Sequence, residues 1–292
     1  MRRSKWFLRS WSIISIAWVA GLLLAASVSA AEPAKEKKEA YTTETIRVGC
    51  KEVRVERFEP KVDGKKHPAI VMLPGVDGMV KPFEQIYREQ AARYAKMGYV
   101  MLIVHYLDCT DTGKEKLKAI QERFRHFFDV KKKNPDHVKS MEKQFADWTN
   151  TVKKTVEYAG KLPTVDPKRI GLAGFSLGAA LGLMAASEMN GQIAAVAELF
   201  GALPEDKVKG LNRLPPTLMI HGDIDERVPP KLAYSLEDAL KAKKCAVERK
   251  MYQRVGHVFV PASPVDLWDA QKRIDAFFKT HLQDTVAKKV GK

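Results

Sequence analysis

Ser176 stands in Gly174-Phe175-Ser176-Leu177-Gly178, directly after the apolar run Ile170 to Gly174 and directly before the Ala- and Gly-rich stretch Leu177 to Ala186. A serine at a tight strand-to-helix turn is held in a strained conformation with its hydroxyl exposed. The residues two before and two after it must be small, because the strand and helix backbones crowd there. Gly174 and Gly178 meet that demand and form the elbow around the nucleophile. The helix start also points free N–H groups at the serine, which favours a developing negative charge. Such a residue performs acyl transfer.

A hydroxyl is a poor nucleophile without a base. On a strand–serine–helix framework the partners follow in the order serine, acid, histidine. His257 has that place, in Arg254-Val255-Gly256-His257-Val258-Phe259, just after an expected strand Val247 to Tyr252. His105 and His221 also end expected strands, but both fall out of order and read as structural. His281 falls in the terminal helix and reads as exposed.

The acid must orient the imidazole and stabilise its charged form. Asp223 and Asp225 both qualify in His221-Gly222-Asp223-Ile224-Asp225-Glu226-Arg227-Val228-Pro229, and Asp223 also suits a turn braced by its own side chain. An oxyanion hole needs backbone donors. One is expected from Leu177, the residue after the nucleophile. The other is expected from the loop Leu73-Pro74-Gly75-Val76-Asp77-Gly78, where Pro74 has no N–H and the glycines allow a sharp bend. Val76 is the candidate. Glu198, near the end of an expected strand, either lines the pocket or is paired elsewhere.

These residues need a scaffold that brings strand ends together. Ala69 to Leu73, Tyr99 to Val104, Ile170 to Gly174, Ile193 to Ala197 and Thr217 to Ile220 are short and apolar throughout. Strands of that kind are buried on both faces, as in a parallel sheet. Between them run helical spacings: Phe83, Ile86, Tyr87, Ala91, Tyr94; then Phe145, Trp148, Val152, Val156, Ala159; then Leu267, Ile274, Phe277, Phe278. Alternating strands and helices predict an α/β class fold, a doubly wound and mostly parallel sheet with helices on both faces. Thr45 to Val48 and Val53 to Phe58 alternate as two half-exposed strands ahead of it. One domain over 44–284 is expected. Residues 108–140, charge-rich with Leu117, Ile120, Phe124, Phe127 and Phe128 on one side of a possible helix, interrupt the rhythm at the end of a strand. They read either as a binding lid or as a surface helix packed on the body.

The sequence resembles the dienelactone hydrolase family of α/β-hydrolases from about Val53 to Leu282. The resemblance rests on Ala69-Ile-Val-Met-Leu-Pro-Gly, Ile170-Gly-Leu-Ala-Gly-Phe-Ser-Leu-Gly-Ala-Ala, His221-Gly-Asp-Ile-Asp-Glu-Arg-Val-Pro and Gly256-His-Val-Phe. It implies the α/β-hydrolase fold and assigns the acid to Asp225, three residues before Val-Pro, and the base to His257, two before a phenylalanine. The family's namesake enzymes carry a cysteine where this chain has Ser176. Their glutamate beside that cysteine falls at Gly75, and their substrate-carboxylate arginine at Pro261. The family's many serine members look like esterases of broad substrate range, and this chain is expected to join them.

The first thirty residues have another purpose. Arg2, Arg3, Lys5 and Arg9 precede the apolar run Trp11 to Val28, which ends in Val28-Ser29-Ala30-Ala31. Basic start, apolar middle and small-residue exit predict a secretory signal peptide over 1–30, the alternative being an uncleaved anchor. Residues 31–43 then read as a flexible tether, and 285–292 as a basic tail. Four basic and no acidic residues lie in 1–30, so their loss lowers the net charge from +15 to +11.

That charge alternates in sign along the chain and shows no recognition motif, which argues against nucleic-acid binding. It permits a weak association with an anionic envelope surface. Cys50, Cys109 and Cys245 match no zinc spacing and permit one disulfide at most. The expectation is therefore an exported serine hydrolase acting on a small-molecule ester, with no cofactor and no metal. A serine peptidase or acyltransferase of the same fold is the alternative, and a non-catalytic envelope-binding protein a more distant one.

Overall fold

A computed structural model describes residues 41–109 and 135–283. The expected leader, all but the end of the tether, most of the 108–140 insertion and the basic tail lie outside the described residues.

The described strands are β1 (Thr42–Val48), β2 (Lys51–Phe58), β3 (His67–Leu73), β4 (Val100–Val104), β5 (Val165–Phe175), β6 (Ala195–Leu199), β7 (Thr217–Gly222) and β8 (Val247–Tyr252). They form one sheet in the order β1-β2-β4-β3-β5-β6-β7-β8. β2 runs antiparallel to both β1 and β4, and every pairing from β4 to β8 is parallel. The helices are α1 (Phe83–Lys96), α2 (Pro135–Lys161), α3 (Leu177–Glu188), α4 (Glu205–Lys209), α5 (Pro230–Ala242) and α6 (Pro264–Phe278). This is the α/β-hydrolase architecture.

Two apolar cores lie on opposite faces of the sheet. Trp148, Val152 and Val156 of α2, Leu181 of α3 and Leu236 of α5 pack with Val71, Leu102 and Leu172 on one face. Tyr87 and Tyr94 of α1 pack with Leu267, Ile274 and Phe278 of α6 over Ile70, Met101 and Ile220 on the other. Central strands covered on both sides explain why their sequences are apolar without alternation. α3 differs from its neighbours because it is wedged between the sheet and α2. Nearly every residue from Leu177 to Ser187 is buried, which suits its small side chains. α6 starts at a capping box, with Ser263 Oγ accepting from Asp266 N–H at 3.1 Å and the Asp266 carboxylate accepting from Ser263 N–H at 3.3 Å.

Some element limits differ from expectation. β1 begins at Thr42 rather than Thr45, since Thr42, Thr43 and Glu44 pair with Arg57, Glu56 and Val55 of β2 through backbone bonds that ignore side-chain type. β5 reaches back to Val165 across the polar Asp166-Pro167-Lys168-Arg169, and β6 starts at Ala195 rather than Ile193.

The order of connections fixes where a site can form. From β3 the chain crosses outward to β4, then returns to the opposite side of β3 to lay down β5. Loops leaving the carboxyl ends of β3 and β5 thus diverge in opposite directions, opening a crevice at this switch point. The Pro74–Gly78 loop and Ser176 are the residues delivered there.

Candidate active site

Ser176 takes φ 53° and ψ −113°, a left-handed backbone rare for a residue with a side chain. Its surroundings hold it there. The Ser176 N–H donates to Leu199 O at 2.9 Å, and its carbonyl accepts the Ala179 N–H at 3.1 Å. Both flanking glycines are sterically required. A Cβ on Gly174 would lie 2.5 Å from Ala179 Cα, and one on Gly178 would lie 2.5 Å from Pro74 O.

The structure brings Ser176, His257 and Asp225 into one hydrogen-bonded row. Ser176 Oγ is 3.0 Å from His257 Nε2, and His257 Nδ1 is 2.7 Å from Asp225 Oδ2. The other carboxylate oxygen, Oδ1, accepts from Arg227 N–H at 2.9 Å and Val228 N–H at 2.8 Å. The Asp225 side chain is fully buried, whereas Ser176 and His257 remain partly open. Asp223 is not in this row, and its Oδ1 lacks a partner among the described residues. The turn after β7 is tied to the histidine loop by Asp223 N–H to Tyr252 O at 3.0 Å and Ile224 N–H to Val255 O at 3.1 Å. Gly222 lets the backbones meet, since a Cβ there would strike the Val255 carbonyl.

His221 has the structural role expected, with an additional contact. Its ring is fully buried and its Nε2 donates to Val228 O at 2.9 Å while lying 3.5 Å from Asp225 Oδ2. Burial lowers its pKa, outweighing the opposing Asp225 charge and the Val228 bond. His105 is buried against Glu56, with 3.0 Å between its Nε2 and Oε1. His281 is half-buried rather than exposed, its ring 4.7 Å from that of Phe277. Cys50 and Cys245 are free thiols, one exposed and one buried.

Two buried tyrosines, missed in the sequence reading, shape the loop after β3. Tyr87 Oη accepts the Gly75 N–H at 3.0 Å, and Tyr106 Oη donates to Pro74 O at 2.7 Å. Burial raises both hydroxyls well above the ordinary tyrosine value, so both stay neutral. The loop lies close to the serine: a Cβ on Gly75 would be 3.7 Å from Ser176 Cβ. With the Gly75 amide engaged and Pro74 lacking one, Val76 offers the next N–H. Neither Val76 N–H nor Leu177 N–H donates to another protein group among the described residues. Leu177 opens α3, where the first amides have no partner within the helix.

One aromatic ring packs against the imidazole and is itself backed by two more. Phe200 meets His257 edge-on at 5.6 Å and also contacts Phe175 at 6.0 Å and Phe259 at 5.9 Å. Glu198 does not line this space; it is completely buried, with Oε2 accepting from Gly201 N–H at 2.9 Å. A cavity of about 430 Å³ bordered by Val156, Pro167 and Gln192 lies near the opposite end of β5, away from Ser176. Among the described residues no three His, Cys, Asp or Glu side chains are grouped to hold a metal ion.

A doubly wound sheet with its serine elbow at the switch point defines an α/β hydrolase. The chain belongs to the dienelactone hydrolase family, whose model matches residues 54–282. Its structure is similar to a dienelactone hydrolase from Anabaena variabilis, with TM-score 0.61 and 19% identity over 83% of this chain and 98% of that one. Esterase 2 of Thermogutta terrifontis, in a structure phosphorylated by paraoxon, gives TM-score 0.59 and 16% identity over 82% and 94%. An acylaminoacyl peptidase gives TM-score 0.61 and 17% identity over 83% of this chain but 42% of its own. No curated protein sequence matches significantly.

Proposed function

We propose that this protein is an exported serine hydrolase that cleaves carboxylic esters of small molecules through an acyl-enzyme. The observation that carries the reading is the hydrogen-bonded row from Ser176 Oγ through His257 to Asp225, at 3.0 Å and 2.7 Å. Export rests on the three-part leader over residues 1–30.

His257 Nε2 takes the Ser176 proton as Oγ bonds to the ester carbonyl carbon. The carbonyl oxygen becomes an oxyanion facing the N–H groups of Leu177 and Val76. Asp225 holds the imidazole in the required tautomer and stabilises its charged form. The histidine returns its proton to the departing alcohol as the ester C–O bond breaks. Water then attacks the acyl-enzyme by the same route, releasing the acid and restoring Ser176.

The resemblance puts Gly75 and Pro261 of this chain at the places of the namesake enzymes' glutamate and carboxylate-binding arginine. A neutral ester, rather than a lactone bearing a carboxylate, suits this site. The test is a panel of p-nitrophenyl esters graded by acyl length, run beside matched anilides and with added alcohol acceptors. Ester turnover that falls about 10³-fold or more in Ser176→Ala supports the reading. Turnover unchanged by that substitution overturns it. Preferred cleavage of anilides would mark a peptidase, and net transfer to alcohol an acyltransferase.

A further inference from the structure

Glu198 is a fully buried carboxylic acid that acyl transfer does not use. It is registered against Gly174 of β5 and Met219 of β7. With Val196 and Met219 in the α2–α3–α5 core, it projects from the sheet face that carries the serine helix. Burial raises its carboxyl well above the ordinary 4.5; the Gly201 amide opposes this and the Asp225 charge adds to it.

The turn that Glu198 closes touches the serine on two sides. Leu199 O accepts the Ser176 N–H at 2.9 Å. Gly201 backs onto the Ser176 carbonyl so closely that a Cβ there would lie 2.9 Å from its oxygen. Between them Phe200 is held at φ 44°, with its N–H on Ile220 O at 2.7 Å and its ring against His257. A left-handed phenylalanine is strained and persists only when its neighbours hold it. Across the opening of the turn, the Glu198 carboxyl bonds the Gly201 N–H.

We propose that Glu198 is a positioning residue for the acyl-transfer site. By accepting the Gly201 N–H it holds the Leu199–Gly201 turn in the shape that keeps Ser176 on its elbow and Phe200 against His257. This rests on the reading of Ser176 as nucleophile.

The test compares wild type, Glu198→Gln and Glu198→Met by kcat and KM on p-nitrophenyl butyrate and by the rate of labelling with a fluorophosphonate. Thermal unfolding is followed to establish that each variant is folded at the assay temperature. Glutamine keeps a side-chain oxygen in place to accept the Gly201 N–H, so kcat stays within about threefold of wild type. Methionine fills similar space with only a weakly accepting sulfur. Its kcat and labelling rate fall about tenfold or more, with KM within about twofold, because the reacting groups and not the binding surface lose their alignment. Should Glu198→Met fail to fold, Phe200→Leu reads the same turn from its other side, with the same fall in kcat.

Glu198→Met labelling and turning over at the wild-type rate would overturn the proposal alone. So would Glu198→Gln losing as much as Glu198→Met, or a folded Phe200→Leu at full kcat. A wild-type protein that takes up no label would overturn the Ser176 reading and this proposal with it.

Discussion

Asp225 divides its two oxygens between different tasks: Oδ2 meets His257 Nδ1 at 2.7 Å, while Oδ1 is occupied by the amides of Arg227 and Val228. Rotation of the carboxyl group would break two backbone bonds in a buried turn, so the side chain is fixed before any substrate arrives. An amide in its place cannot satisfy both neighbours. If its oxygen stays on the backbone amides, its NH₂ faces His257 and selects the wrong tautomer.

Asp225→Asn is therefore expected to reduce kcat on an activated ester by about 10³- to 10⁴-fold with little change in KM. Asp223→Asn, two residues away and outside the row, is expected to stay within about threefold of wild type. Steady-state kinetics of the two variants side by side separate the acid from its neighbour, a choice the residues alone leave open.

The glycines of the elbow make a stability prediction. A methyl group on Gly178 would meet Pro74 O at 2.5 Å, whereas on Gly182, one turn further along α3, it would meet the movable Leu73 Cδ1 at 3.3 Å. Gly178→Ala should cost about 3 kcal/mol or more, because backbone has to move. Gly182→Ala should change stability by less than about 1 kcal/mol, since helix propensity offsets the tight contact. Denaturant unfolding of both variants checks the contrast.

Much of this scaffold was legible from composition over short windows. Runs such as Ala69–Leu73 and Thr217–Ile220 have only one comfortable environment, a strand covered on both faces, so the parallel sheet and its serine elbow could be read in order. β1 and the start of β5 were less clear because backbone pairing, not side-chain type, extends them. Tyr87 and Tyr106 escaped as functional neighbours, and Glu198 stayed open between lining the pocket and pairing elsewhere, for a different reason. Each acts on a backbone group, Gly75 N–H, Pro74 O or Gly201 N–H, and backbone partners leave no mark in residue identity. The ion cluster of Glu56, Arg88 and His105 was likewise invisible, its members lying on β2, on α1 and just after β4.

That cluster has a pH signature. Glu56 is buried, accepts two bonds from Arg88 at 2.8 Å and 2.7 Å, and contacts His105 at 3.0 Å. Burial alone would raise its pKa, but the Arg88 and His105 bonds outweigh it and lower the value to about 2 from the ordinary 4.5. A depressed carboxylate pKa stabilises the fold above the unfolded value, and that contribution is lost as pH falls through the folded one. Glu56→Gln should lose on the order of 3 kcal/mol at neutral pH. The gap between wild type and variant should hold down to about pH 5 and close towards pH 2, as seen in urea midpoints across that range.

The most direct test of the account is to treat the purified protein with a fluorophosphonate and locate the adduct by peptide mass spectrometry. One adduct is expected, on Ser176, abolished in Ser176→Ala and formed at least about 10²-fold more slowly in His257→Ala. An unlabelled wild-type protein, or an adduct that maps elsewhere and survives Ser176→Ala, would contradict it.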